Sequence, residues 1–243
     1  MNLVRNEGPA MSCEPPQKKQ RQDDGAKGTS AGRTLAVLGL GNPGRTYERH
    51  SLGARVAAAV AEASAVAVES TNKDLEGAVW LGCGELKKDW ALILQPQRPI
   101  NENGPQLHSA LSDLNLQDAP FLTIVDDCWL PLGTIRFREK GSSGGHKGLE
   151  GIEASFKCGQ NYHRLRLGIG GKNLKEFVTG SFTEEEESLL QPVLAAAVMA
   201  VQAWLRLGPE ASQKAGVDAS CSLGKVSRTK RCPVSSCIVG HVG

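Results

Sequence analysis

The chain has 243 residues, with 28 Lys and Arg against 26 Asp and Glu, so its net charge is +2. That length buries one good core, and near neutrality means that any basic surface must be local. No apolar run approaches the roughly 20 residues that cross a bilayer, Met1–Ser12 lacks the apolar core of a secretory signal, and seven irregularly spaced cysteines fit reduced thiols better than a disulfide framework.

Residues 1–33 are rich in Pro, Gln, Lys, Asp and Gly without apolar periodicity, which predicts a disordered tail. Lys18, Lys19 and Arg21 read as solvated charge, with a weak nuclear signal or an RNA-attracting arm as the alternative. Glu7, Glu14, Asp23 and Asp24 interrupt what a mitochondrial presequence keeps free of acid, so an intracellular protein is expected, with the cytoplasm favoured and the mitochondrion as the alternative.

Leu35–Leu40 is an apolar run of strand length, as in a strand buried on both faces of a parallel sheet. It stops at Gly41, Asn42, Pro43 and Gly44, where the two glycines are expected to take backbone angles closed to other residues. Ligand crevices of open α/β sheets form at such strand ends. An alanine-rich helix follows with Ser51 as its expected cap, which sets His50 near the Asn42 amide.

Gly77–Gly82 and Trp90–Leu94 read as strands joined by a polar turn. The proline-broken segment from Gln95 to Gly104 again follows a strand end. Asn101 or Asn103 there is a helix cap or a site amide, and Asn103 suits the cap because Gly104–Leu116 has helical spacing. Phe121–Val125 is a further buried strand that delivers Asp126 and Asp127, as turn formers or as an orienting partner for a histidine; alone, the turn reading is favoured.

Thr134–Arg138 alternates, which predicts Arg136 and Arg138 on one solvent face. Gly141–Leu149 is a glycine-rich loop carrying His146, with a helix over Leu149–Phe156 behind it; neither the GxGxxG nor the P-loop pattern is present. His163–Gly170 is another strand, with Arg164 and Arg166 on one face. Arg136, Arg138, Lys140, Lys147, Arg164, Arg166, Lys172 and Lys175 then form a basic zone suited to a polyanion. Glu184–Leu207 is a long helix capped by Thr183, and residues 217–243 read as a mostly disordered tail. Cys232, Cys237 and His241 in that tail read as a chance grouping rather than a zinc site.

Five stretches, in order, resemble the bacterial-type peptidyl-tRNA hydrolases. GLGNPG (Gly39–Gly44), with Tyr47 and RHSLG (Arg49–Gly53), is similar to that family's GLxNPG...Y...RHNxG pattern. INENG (Ile100–Gly104) falls where the family has MNxSG, and VDDCWLPLG (Val125–Gly133) where it has HDDLDLPxG. GGHKGL (Gly144–Leu149) resembles GGHNGL, and HRLRLGIG (His163–Gly170) resembles HRLRIGIG. The resemblance covers about residues 34–208. It implies one three-layer α/β/α domain with a twisted mixed sheet, flanked by tails 1–33 and 209–243, acting as a monomer without metal or cofactor.

The family cleaves the ester joining a peptide to the 3′ end of tRNA. The resemblance makes His50 the general base for water and Asp126 the carboxylate that steadies it. It makes Asn42 the residue that distinguishes substrates with a blocked amine, and Asn101 the holder of the peptidyl chain or the oxyanion. Tyr47 matches the contact to the tRNA 3′ end, His146 and Lys147 stand in the substrate-binding loop, and Arg138 and Arg166 match the clamp on the tRNA 5′ phosphate. Lys147 stands where the family has Asn; a cation there is expected to lower the His50 pKa. That substitution keeps open a catalytically weakened RNA-binding relative. Val125 and Trp129 replace His and Asp of the family pattern. A small-molecule esterase is disfavoured because no GxSxG elbow is present.

Overall fold

The apolar run forms β1 (Thr34–Gly39), whose side chains divide between two cores. Leu35 and Val37 face one, Ala36 and Leu38 the other. This is the two-sided burial that a central parallel strand requires. The structure, a computed structural model, describes residues 34–63, 67–68, 78–83, 89–171, 175–214 and 221–222. Lys172, Cys232, Cys237, His241 and the N-terminal 33 residues lie outside them.

The further strands are β2 (Ala67–Val68), β3 (Ala78–Cys83), β4 (Asp89–Leu94), β5 (Phe121–Asp127), β6 (Thr134–Arg138), β7 (His163–Gly168) and β8 (Cys221–Ser222). They form one sheet in the order β2-β3-β4-β1-β5-β7-β6-β8. The four central strands are parallel, and the flanking ones antiparallel, so the sheet is mixed as expected. Of the expected C-terminal tail only Cys221–Ser222 lies among the described residues beyond 217, pairing with β6 at the sheet edge.

Helices cover both faces. The side of Leu35 and Val37 receives α1 (Leu52–Ala63) and α5 (Glu184–Lys214), the latter broken at Gly208, where φ is 77°. The side of Ala36 and Leu38 receives α2 (Asn103–Asp113) and α3 (Lys147–Ser155). A short α4 (Lys175–Val178) precedes α5. Gly104 and Gly151 let α2 and α3 touch backbone to backbone: a Cβ on Gly104 would lie 2.1 Å from the Gly151 carbonyl carbon. This pins the Asn101 segment against the His146 loop.

Contrary to the reading of the sequence, one helix, Glu184–Pro209, is long and apolar enough to cross a membrane. Its buried residues Leu190, Val193, Ala197, Val201 and Trp204 recur every three or four positions and pack on the sheet. A helix with one such stripe and four glutamates in its first turn has the pattern of an amphipathic helix packed on the core from outside. Thr183 caps it as expected: the Glu186 N–H donates to Thr183 Oγ1, and the Thr183 N–H donates to Glu186 Oε2, a reciprocal capping box.

Candidate active site

Because β1 and β5 are parallel neighbours, the loops leaving their carboxyl ends lie side by side. The loop after β1 runs into a 3₁₀ turn, Arg49–Ser51, that holds His50. Arg49 anchors this turn. Its guanidinium lies over Phe177 and Phe182, pairs with Glu186 at 2.5 Å and donates to the Ser181 carbonyl. Asp126, 3% exposed, is the penultimate residue of β5. His50 Nδ1 lies 2.9 Å from Asp126 Oδ2.

A second imidazole reaches the same carboxylate. His146 is the N-cap of α3: its Nδ1 accepts the Leu149 N–H at 3.3 Å, which assigns its proton to Nε2, 3.2 Å from Asp126 Oδ1. The two rings are 4.6 Å apart, tilted by 55°. An ionised carboxylate only accepts, so Asp126 takes an N–H from each ring. His50 is thereby protonated at Nδ1, and its Nε2 is the atom with a lone pair for an incoming proton.

Burial pushes the Asp126 carboxyl up, but the charges of and hydrogen bonds from His146 and His50 outweigh it and hold the group well below the ordinary carboxylate range. For His50, burial lowers the pKa, while the Asp126 charge, its hydrogen bond and the Glu48 charge raise it further, to a net value above 6.5. The lowering expected from Lys147 is absent. Lys147 Nζ is paired with Glu150 Oε2 at 2.8 Å on the exposed face of α3, one turn of helix being the natural reach between them.

Two expected caps are instead tertiary contacts. Ser51 Oγ accepts the Asn42 N–H at 3.0 Å and does not cap α1. Asn103 is fully buried and joins three segments: its Oδ1 accepts the Gly41 N–H at 3.0 Å, and its Nδ2 donates to the carbonyls of Arg98 and Pro99. The Asn42 side chain is also engaged, donating to Glu48 Oε2 at 2.7 Å and accepting the Ile100 N–H at 2.9 Å. Asn101, next in sequence, is exposed. Gly44 has the expected positive φ of 70°, whereas Gly41 is small for another reason: a Cβ there would meet Ala54 Cβ at 2.9 Å.

The two acids after β5 separate in role. Asp127 forms the turn, accepting the Trp129 N–H at 2.9 Å, and its other oxygen lies 3.0 Å from Arg166 Nε. Arg136 and Arg138 are half-buried on β6 beside Arg166 and Arg164 on β7. Arg164 does not belong to a polyanion face. It is fully buried, donates to the carbonyls of Ser142 and Gln160, and stacks on Tyr162 at 4.1 Å. Tyr47 is 55% exposed.

Among the buried residues around the site, the sequence assigns Glu48 and Arg49 no role of their own, and Asn103 reads from sequence as a helix cap rather than a site amide. Their nearness in sequence to His50 and Asn101 was the available signal. His50, Asp126 and His146 are also a group whose ligand atoms lie within 4.8 Å of one another, close enough for a shared metal. The same atoms are committed to mutual hydrogen bonds, and a cation would have to displace two N–H protons from the carboxylate.

A mixed-sheet α/β fold with a carboxylate-oriented imidazole at its strand ends fits the class of hydrolase-type sites. The chain belongs to the peptidyl-tRNA hydrolase family, whose model matches residues 36–220. It is 35% identical over 183 residues to a peptidyl-tRNA hydrolase of Persephonella marina, covering 73% of this chain and 94% of that one. For the peptidyl-tRNA hydrolase of Aquifex aeolicus the identity is 32% over 180 residues, covering 72% and 91%. The solved peptidyl-tRNA hydrolase of Acinetobacter baumannii superposes with a TM-score of 0.62 at 26% identity, over 80% of this chain and 98% of that one.

Proposed function

We propose that this chain hydrolyses peptidyl-tRNA, with His50 as general base and Asp126 as its orienting carboxylate. The observation that carries the reading is the 2.9 Å contact from His50 Nδ1 to Asp126, which leaves Nε2 for water. Water attacks the ester carbonyl as Nε2 takes its proton, and the imidazolium then returns that proton to the leaving ribose oxygen. The products are a free peptide acid and a tRNA 3′ hydroxyl. Asn101 serves the peptidyl chain or the oxyanion. Asn42, with both ends of its amide engaged, acts by positioning the Ile100–Asn101 segment. His146 holds Asp126 from its other side.

Tyr47 is assigned to the 3′ end and Arg138 and Arg166 to the 5′ phosphate, with the enzyme acting as an intracellular monomer. Arg166 already faces buried Asp127, so Arg166→Ala strands a carboxylate and costs stability as well as binding. For Arg138→Ala the slope of log affinity against log salt should become shallower by about 0.7–0.9, one phosphate's worth. An unchanged slope in filter-binding titrations with deacylated tRNA removes Arg138 from the clamp.

The weakened RNA-binding reading rested on Lys147, and the Lys147–Glu150 pair turns that charge away from the cluster. The test is single-turnover release of N-acetyl amino acid from N-acetyl-aminoacyl-tRNA. Wild type should turn over, and Lys147→Asn should change the rate by less than about threefold, the scale of a surface ion pair. A wild type that binds tRNA without cleaving it, and gains activity in Lys147→Asn, would establish the binding relative instead.

A further inference from the structure

We propose that Trp129 is a stacking platform for a base of the single-stranded 3′ end of the RNA substrate. Two exposed large aromatic residues occur among the described residues, Tyr47 at 55% and Trp129 at 68%. Each stands three positions from a member of the His50–Asp126 pair, Tyr47 before His50 and Trp129 after Asp126. Their loops leave adjacent parallel strands. Both of these exposed aromatic side chains therefore stand on the loops that carry His50 and Asp126.

The Trp129 backbone is held firmly while its ring is exposed. Its N–H donates to Asp127 Oδ1 at 2.9 Å, and the following Leu130, 4% exposed, accepts the Gly170 N–H at 2.9 Å. On the other side Cys128 packs into the core, and Asp127 is locked against Arg166. A large ring on an immobile turn loses little conformational entropy when a flat partner covers it. Indole also gains more from such cover than any other side chain of its loop.

The partner follows from the reaction, so this inference rests on the proposed function. The scissile ester is carried by the terminal ribose, and bringing that ester to His50 Nε2 carries the terminal base to within one nucleotide of the same loops. Every base offers a π-face, and aromatic platforms beside cations are the usual means of holding single strands.

The experiment pairs binding with turnover. Titrating the trinucleotide cytidylyl-cytidylyl-adenosine should quench the emission of the wild type, and that quenching should be lost in Trp129→Phe. With N-acetyl-aminoacyl-tRNA, Trp129→Ala should raise KM roughly 5- to 150-fold, the range for loss of one stacked base, with kcat within about twofold. Trp129→Phe should recover most of that loss, which a folding defect would not. An unchanged KM with unchanged quenching overturns the proposal. So does a KM effect that follows the amino-acid side chain while trinucleotide quenching persists in Trp129→Phe, because Trp129 would then serve the peptide. A wild type inactive on every substrate defeats the functional reading, and the quenching arm still decides the stacking.

Discussion

His50→Ala should lower single-turnover hydrolysis of N-acetyl-aminoacyl-tRNA by about 10²–10⁴-fold, the usual contribution of a positioned acid–base group, while leaving tRNA affinity within about twofold. The side chain removed is 12% exposed and makes its hydrogen bonds to Asp126. Asp126 keeps its second partner, His146, so the carboxylate is not stranded. The loss should therefore appear in kcat rather than in folding, and urea midpoints of the two proteins checked in parallel would show it. Hydrolysis within tenfold of wild type would remove His50 as the base.

The pH profile gives the same assignment independently. A base must be neutral to take a proton, and the His50 pKa lies above 6.5. kcat/KM should fall as pH drops through that raised value and level off above it. His50→Ala should erase this limb along with the rate.

Much of the catalytic pair could be read in the sequence because it depends on local rules. The runs Leu35–Leu40 and Phe121–Val125, broken only by Gly39 and Thr123, are apolar as two-sided burial demands; Asp126 stands at the end of β5, and His50 stands in the turn reached by the loop after β1. What escaped depends on contacts far apart in the chain. Asn103 has the type and position of a helix cap, yet it bonds Gly41, 62 residues away. Alternation placed Arg164 on the same face as Arg166, but nothing local foretells that the Ser142 and Gln160 carbonyls enclose it. Ser51 likewise gave its hydroxyl to Asn42 rather than to its own helix. Lys147 was misread in effect because its influence on His50 depends on direction, and Glu150, three residues on, turns it outward.

Asp126→Asn should cost nearly as much as loss of the base, up to about 10⁴-fold, and for a reason specific to this cluster. An amide presents one acceptor and one donor where the carboxylate presented two acceptors. His146 cannot adapt: its Nδ1 already accepts the Leu149 N–H, so its Nε2 proton must face the amide oxygen. The amide nitrogen is then directed at His50 Nδ1, which has to give up its proton and accept. The His50 proton moves to Nε2, the one atom that must be vacant for water. Because the Asp126 charge is among the causes raising the His50 pKa, the acid limb of whatever activity remains should also move to lower pH. Adding His146→Ala frees the amide to turn its oxygen toward His50 Nδ1–H, so the double variant should be about tenfold more active than Asp126→Asn alone, the effect of restoring one tautomer by roughly 1.4 kcal/mol. Single-turnover rates of the two variants decide it: a double variant slower than the single one would mean that His146 supports catalysis by some route other than holding Asp126.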